Sequence, residues 1–240
     1  SRGLGDVYKR QVVFLHGERV INEVVERLKM KHPSVKVIPV YRRIQAEAEE
    51  ELAKITDKRR VIVGTNILET SITLKGAVYG IESGLIKEAR WDPDNEIFTL
   101  PTCFHTQDGR KQRWGRLGRT EIGYVYNLYT KEEFEKARPH TVPEITRSSL
   151  EDTLFNLKTT GITKVESFPW LENPDDFPQM AKEIKRSEEV LSRKGFLRKE
   201  GQILERALDL LGIPRDSTDA QFLILASREG CLFEAILTLF

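Results

Sequence analysis

Cysteine and long apolar runs are both scarce in this sequence. Its 240 residues include two cysteines, Cys103 and Cys231, which lie far apart and outside any C-x-x-C spacing. This pattern argues against a zinc site and against a disulfide framework, so we expect both to be buried apolar side chains. No apolar run approaches the length of a membrane-spanning helix. The composition therefore favours a soluble, cytoplasmic protein without a membrane partner.

An excess of charge of one sign is also lacking. The formal net charge is +1 at pH 7, although 31% of the residues are charged. A protein with this balance has no overall basic field that would attract nucleic acid. Any nucleic-acid site must therefore be a local arrangement of residues.

The first part of the chain alternates predicted strands with predicted helices. The segment from Glu18 to Lys31 carries its apolar residues on one helical face, and an acidic helix is predicted from Ala46 to Ile55. Such alternation implies an α/β fold in which helices cover both faces of a mostly parallel sheet. The predicted strands are Val12 to Leu15, Val35 to Tyr41, Arg60 to Gly64, Ala77 to Ile81 and Gly123 to Leu128.

The pattern changes to helices after Pro139 and Pro143. Amphipathic helices are predicted from Leu150 to near Gly161 and from Met180 to Lys194, and a short strand is predicted from Phe196 to Arg198. This change indicates a second, mainly helical domain.

The segment from Gln112 to Arg119 is the most informative part of the chain. Arginines three apart lie on the same side of a helical turn, and planar guanidinium groups bind phosphate oxygens bidentately. We therefore interpret Arg113, Arg116 and Arg119 as a phosphate clamp, beside which Gln112 orients a water molecule. A solvated basic face is the alternative that the run by itself leaves open.

A second informative segment runs from Gly64 to Thr73, directly after the apolar residues Arg60 to Val63. It is rich in hydroxyl and amide side chains. Ligands of open α/β sheets bind at the carboxyl ends of parallel strands, which is where this segment is predicted to lie. The segment is therefore a candidate binding loop.

Together these two segments closely resemble motifs V and VI of the superfamily 2 helicases, in their DEAH-box form. The segment from Val12 to Gly17 resembles motif IV of the same family. The segments Ile81 to Glu88 and Trp91 to Pro93 resemble the strand and hairpin that lie between motifs V and VI. The resemblance covers almost the whole chain and extends to the bacterial HrpA/HrpB branch.

The resemblance implies a domain organisation. Residues 12–142 correspond to a second RecA-like domain, residues 143–207 to a winged-helix domain, and residues 208–240 to the truncated start of a helical bundle called the ratchet. Residues 1–11 match the translation of a transposase-based sequencing adapter, so we exclude them from the fold. The last residues stop inside an apolar helical pattern, and we interpret the sequence as a fragment cut at both ends.

The resemblance also implies an ATP-dependent RNA helicase. Arg116 and Arg119 correspond to arginine fingers that reach the γ-phosphate, and Gln112 to the residue that positions the attacking water. Thr73 corresponds to a hydroxyl group near the nucleotide. Arg113 matches a position with a more structural role in the family. The alternative for these side chains is a set of surface salt bridges, which contribute little to stability.

Four further residues are implied to contact the nucleic acid, which is single-stranded and, by the resemblance, RNA. Thr65 and Asn66 match residues that touch its backbone, while Arg42 and Arg43 lie in a loop that contacts phosphates. Local basic charge suits a protein that tracks the backbone without reading sequence. The alternatives are ordinary loop capping for the first pair and a solvated turn for the second.

Two motifs of the family do not occur in the sequence. Neither the pattern G-x-x-x-x-G-K-[ST] nor D-E-x-H is present. In helicases of this kind these motifs form the triphosphate cradle and hold magnesium. We therefore expect ATP and Mg²⁺ as cofactors, no metal ligands in this chain, and a first RecA-like domain in cis. The chain alone is expected to be catalytically inactive.

Two residues depart from the family pattern. Trp114 and Leu117 replace the small alanines that are usual within motif VI, and we expect them to crowd the packing behind the arginines. An alternative function follows: an inactive, helicase-derived protein that binds nucleic acid or serves as a scaffold.

Overall fold

The computed structural model describes residues 10–54, 56, 58–72, 74, 76–119, 122–213 and 215–239. Most of the segment interpreted as a translated adapter, and also Thr73, lie outside the described residues. The chain divides into two compact units. The first comprises the residues up to Glu88 together with Leu100–Thr141, and the second comprises Ala89–Thr99 together with Val142–Phe240. The domain bounds inferred from the family resemblance stay predictions.

Strands and helices follow one another in a fixed chain order. The strands are β1 (Arg10–Phe14), β2 (Lys36–Val40), β3 (Arg60–Gly64), β4 (Ala77–Glu82), β5 (Leu85–Lys87), β6 (Arg90–Asp92), β7 (Ile97–Thr99), β8 (Thr102–Phe104) and β9 (Tyr124–Asn127). The helices are α1 (Glu18–Lys31), α2 (Gln45–Ala53), α3 (Ile67–Thr70), α4 (Gln107–Trp114), α5 (Lys131–Glu135), α6 (Glu151–Thr159), α7 (Pro178–Arg193), α8 (Glu205–Leu208), α9 (Ser217–Arg228) and α10 (Leu232–Leu239).

The first unit is built on a five-stranded parallel sheet in the order β2-β3-β1-β4-β9. All five residues of β3 are buried, as is typical of a central parallel strand. One apolar cluster, including Ile21 and Val25 of α1, covers one face of the sheet. A second cluster, including Ala48 and Leu52 of α2, covers the other face. The predicted α/β fold with helices on both faces is confirmed.

The carboxyl ends of β1, β2 and β3 are held close together. The amide of Leu15 donates to the carbonyl of Gly64 at 2.8 Å, and the amide of Thr65 donates to the carbonyl of Val40 at 3.2 Å. A Cβ atom on Gly64 would lie 2.7 Å from that Val40 oxygen. Glycine is therefore required where the binding loop leaves the sheet, because the neighbouring backbone approaches so closely.

The second unit contains the later helices and the β6–β7 hairpin. Its centre is Glu183 of α7, a buried carboxylate that accepts a hydrogen bond from Trp91 Nε1 at 3.1 Å. The hydroxyl group of Ser187 donates to Glu183 at 3.0 Å, and the guanidinium of Arg186 lies over the Trp91 ring. These contacts fix the hairpin to α7. None of the described helices is long and apolar enough to cross a membrane.

Some local expectations were wrong. The strand predicted from Phe196 to Arg198 is a single bridge between Leu197 and Ile203, inside a tight hairpin. Cys103 is partly exposed and Cys231 is exposed, so neither is a buried apolar residue. Both differences depend on long-range packing, which local sequence pattern does not specify.

The large residues Trp114 and Leu117 are both accommodated. Leu117 is only 7% exposed and packs into space that Gly80 of β4 leaves free. A Cβ atom at Gly80 would lie 2.3 Å from Leu117 Cδ1. The Trp114 ring stacks on Phe134 of α5, with ring centroids 5.3 Å apart. Crowding is thus relieved by a glycine on one side and an aromatic partner on the other.

This packing gives a first prediction. Gly80→Ala should lower the free energy of unfolding by about 1–3 kcal/mol, because the added methyl group overlaps Leu117. In a Leu117→Ala background the same substitution should cost much less, since the obstructing atoms are gone. Urea unfolding of the four variants measures both values. Gly212→Ala is the matched control, because a Cβ atom there meets nothing within 4 Å. Equal costs in the two backgrounds would show that the two residues do not share this space.

Candidate functional site

A buried ion cluster lies between α3, α4 and β4. Arg113 of α4 is 0% exposed. Its Nε donates to Glu69 Oε1 at 2.6 Å, and one of its terminal nitrogens donates to Glu82 Oε1 at 2.7 Å. The same nitrogen lies 3.3 Å from the carbonyl of Leu85, and the guanidinium lies over the Phe14 ring. Arg113 therefore joins three segments that are separate in sequence.

The two carboxylates of this cluster are affected differently. Burial acts to raise the pKa of Glu69, but its contacts with His105 and Arg113 outweigh burial and hold that pKa below its usual range. Burial raises the pKa of Glu82, and Arg113 offsets this only in part. One guanidinium is thus shared by two buried acids, of which Glu69 is the better stabilised as an anion.

Helix α4 and the turn after it determine where the arginines point. Thr106 caps the helix by accepting a hydrogen bond from the amide of Gly109 at 3.3 Å. The helical turn continues beyond α4, since the amide of Arg116 donates to the carbonyl of Arg113 at 3.1 Å. Gly118, with φ of 70°, ends it, and its amide donates to the carbonyl of Ala77. The chain is thereby fastened to β4 immediately before Arg119.

The three arginines of the predicted phosphate clamp do not share one environment. Arg113 is buried and already bound to carboxylates, so its inclusion in the clamp was wrong. Arg116 is half-buried and Arg119 is exposed. Neither forms an ion pair with another described residue; Arg119 Nε lies only within 3.5 Å of the Gly115 carbonyl. The described residues therefore give these two side chains no salt-bridge role, and Gln112 is exposed beside them.

A second site is a cleft at the carboxyl ends of β1, β2 and β3. The cleft has a volume of about 440 Å³. All four residues predicted to contact nucleic acid line it, although they come from two separate loops. Its lining residues are Leu15, His16, Gly17, Glu18, Tyr41, Arg42, Arg43, Thr65, Asn66, Ile86, Lys87 and Leu100.

The loop side of the cleft presents unpaired polar groups. Asn66 precedes α3 in the capping position, but its side chain makes no capping hydrogen bond. It is exposed, and Thr65 is half-exposed. Loop capping therefore does not account for these two side chains, which leaves their amide and hydroxyl groups available to a ligand.

The two arginines of the cleft differ in their partners. Both belong to the 3₁₀ turn Arg42–Ile44 that follows β2. Arg43 forms an ion pair with Glu18 at the start of α1. Arg42 is exposed and pairs with no other described residue. Arg42 thus carries the less compensated charge, and the solvated-turn alternative fits Arg43 better than Arg42.

Two cleft residues were missed by the sequence analysis. His16 follows β1, and Lys87 ends β5. Burial and the neighbouring Lys87 lower the pKa of His16. Gly17 leaves room for the lysine, since a Cβ atom there would lie 3.3 Å from Lys87 Cε. The rule that ligands bind at carboxyl ends of strands could have identified His16, whereas Lys87 depends on the pairing of β5 with β8.

The described residues contain no group of three or more histidine, cysteine, aspartate or glutamate side chains that could hold a metal ion. Within the described part of the chain, the candidate ligands are therefore cations, hydroxyl groups and amides, which favour anions.

Comparison with known proteins identifies the domain. The family described as helicase conserved C-terminal domain matches residues 6–121. A crystal structure of the DExH-box NTPase HrpB of Escherichia coli superimposes with a TM-score of 0.79 at 26% identity, covering 94% of this chain and 29% of that one. The chain carries a DEAH-box helicase C-terminal domain.

Two curated relatives agree with this assignment. The ATP-dependent RNA helicase HrpA homolog of Haemophilus influenzae is 28% identical over 246 residues, which are 99% of this chain and 18% of the relative. The probable ATP-dependent RNA helicase DHX35 of Homo sapiens is 31% identical over 249 residues, which are 98% of this chain and 34% of the relative. The chain thus spans between a fifth and a third of the length of these proteins.

A second prediction separates the arginines of the helicase domain. Arg113→Ala should lower the free energy of unfolding by about 3–5 kcal/mol, because it leaves two buried carboxylates without their cation. Arg116→Ala should change it by less than about 0.5 kcal/mol, since that side chain has no partner among the described residues. Urea unfolding of the 240-residue chain tests both. Similar costs for the two variants would contradict a structural role that is particular to Arg113.

Proposed function

We propose that this chain is the part of an ATP-dependent RNA helicase that supplies two arginine fingers to ATP hydrolysis and part of the track for single-stranded RNA. The observation that carries the proposal is the buried Arg113 cluster. It lies between a cleft lined by cations, hydroxyls and amides and a turn that carries two uncompensated arginines. Relatives named as ATP-dependent RNA helicases support the reaction and the polymer.

Arg116 and Arg119 fit a triphosphate because their guanidinium groups are accessible and not paired within the described chain. Fixed cations that meet charge developing on transferred phosphoryl oxygens contribute strongly to such reactions. Gln112, exposed on the same helix, would orient the attacking water. Thr73 is proposed to lie near the nucleotide by the family resemblance alone, since it falls outside the described residues.

The remaining parts of the nucleotide site belong to another domain. ATP is the proposed substrate, and Mg²⁺ would neutralise its phosphates when bound. We place the magnesium ligands and the phosphate cradle in a first RecA-like domain of the same chain. The residues described here then act only when the two domains close on nucleotide. A cytoplasmic location is proposed with this function.

The cleft fits the backbone of a single strand. Thr65 and Asn66 offer a hydroxyl and an amide on one side, and Arg42 and Lys87 offer cations on the other. Phosphate and sugar contacts of this kind fix position without reading sequence. A mixed cationic and polar groove is what non-specific single-strand binding requires.

The scaffold alternative loses its basis in this packing. It rested on the idea that Trp114 disturbs the arginines of motif VI. Instead the Trp114 ring stacks on Phe134, and the turn bearing Arg116 keeps its helical hydrogen bonds. The large side chain therefore gives no reason to expect an inactive site.

A third prediction tests the cleft. Arg42→Ala should weaken binding of an unstructured oligouridine to the 240-residue chain more than Arg43→Ala, since Glu18 already neutralises Arg43. Loss of one phosphate contact should also reduce the slope of log K against log salt by about 0.7 for single strands. Fluorescence anisotropy over a salt series measures both. Arg59→Ala, an exposed arginine that does not line the cleft, is the control. An equal loss for the control would assign binding to general charge.

A fourth prediction tests the arginine fingers in the protein restored with its first domain. Arg116→Ala and Arg119→Ala should each cut RNA-stimulated turnover by about a thousandfold or more while RNA affinity stays nearly unchanged. Arg116→Lys should rescue poorly, because an ammonium group does not reproduce the bidentate fork. Residues 12–240 alone should show no turnover. If Arg116→Ala instead lowered RNA affinity and spared turnover, the turn would be a nucleic-acid surface.

A further inference from the structure

His105 is a buried side chain that none of the proposed functions uses. It lies between β8 and α4 and is 5% exposed. Its Nε2 is 3.3 Å from Glu69 Oε1, the oxygen that also accepts the Arg113 Nε hydrogen bond. Its own amide donates to the carbonyl of Gly84 at 2.8 Å. The ring is therefore held by backbone on one side and faces the ion cluster on the other.

The place of the ring is made by a missing side chain. Gly109 lies in the first turn of α4, where a Cβ atom would come 2.0 Å from His105 Cε1. Glycine is intrinsically unfavourable inside a helix, so its presence here calls for a structural reason. The imidazole ring is that reason, because it occupies the space above the helix backbone.

Charge explains why an imidazole suits this position. The groups that face it are Glu69 from α3, Glu82 from β4 and Arg113 from α4. Two buried carboxylates thus face one guanidinium, and a buried charge is costly unless it is paired. A nitrogen of His105 gives Glu69 a second basic contact without competing for Glu82.

Glu69 occupies a key place in the chain. It follows the cleft residues Thr65 and Asn66 within one helical turn, and its partner Arg113 precedes Arg116 by one turn. A shift of either segment therefore moves the carboxylate relative to the guanidinium. The orientation of one side chain couples the two sites of the proposed function.

We propose that His105 is a positioning residue for the proposed reaction: it orients Glu69, and through Glu69 it sets Arg113 and the Arg116 turn in register with the nucleic-acid loop. The proposal rests on the proposed function for its consequence, namely that RNA in the cleft stimulates turnover. Its structural part, the tether between α3 and α4, stands on the geometry of the cluster.

The tether is tested first in the 240-residue chain without RNA. His105→Leu keeps an apolar filling but removes the nitrogen, and His105→Gln keeps a donor. Amides of α3 and α4 should exchange with deuterium faster in the leucine variant, and at nearly the wild-type rate in the glutamine variant. Unchanged exchange in the leucine variant would overturn the proposal, and so would equal acceleration in both.

The seat of the ring gives a second measurement. Gly109→Ala should lower the midpoint of thermal unfolding in the wild-type background, because it expels the imidazole. In a His105→Ala background the same change should leave the midpoint equal or raise it, since alanine favours a helix over glycine. Lower midpoints in both backgrounds would contradict the proposed seat.

The consequence is tested in the protein restored with its first domain. His105→Leu should lower RNA-stimulated kcat by about tenfold while the RNA concentration for half-maximal stimulation stays within about twofold, since positioning acts in the transition state. His105→Gln should recover most of the rate. Equal losses for leucine and glutamine would overturn the role of the nitrogen. If the wild-type protein shows no RNA-stimulated turnover, the proposed function fails, and the exchange experiment still decides the tether.

Discussion

The guanidinium of Arg113 joins three segments that are separate in sequence. Its hydrogen bonds to Glu69 and Glu82 tie α4 to α3 and to β4 with three side chains that are almost entirely buried. Removing water from three charges is costly, so the arrangement persists only while every member is paired. The positions of the candidate binding loop and of the arginine turn both depend on this pairing.

The parallel sheet supplies the rest of the arrangement. Strands that run in one direction place all their carboxyl ends at one edge, where the cleft lies. Glu69 stands just behind that edge and Arg113 just before the Arg116 turn. A polymer in the cleft and a nucleotide at the turn would therefore act on opposite ends of one ion pair. This short connection gives a physical basis for coupling RNA binding to hydrolysis without a long pathway.

Much of the fold could be predicted because periodicity is a local property. Helix α1 and strand β3 have the bounds that the apolar pattern predicts. The four nucleic-acid residues lie in one cleft because topology fixes the edge at which they meet. Spacing alone could not separate Arg113 from Arg116, since the partners of Arg113 lie 44 and 31 residues away. The fit of His105 over Gly109 likewise depends on a contact between atoms.

The cluster itself is tested most directly by a double-mutant cycle between Glu69 and Arg113. The free energies of unfolding of Glu69→Gln, Arg113→Met and the double variant would be measured by urea denaturation of the 240-residue chain. The account predicts a coupling free energy of about 2–3 kcal/mol, at the upper end for residues in one buried network. A coupling below about 0.5 kcal/mol, as for independent sites, would contradict it.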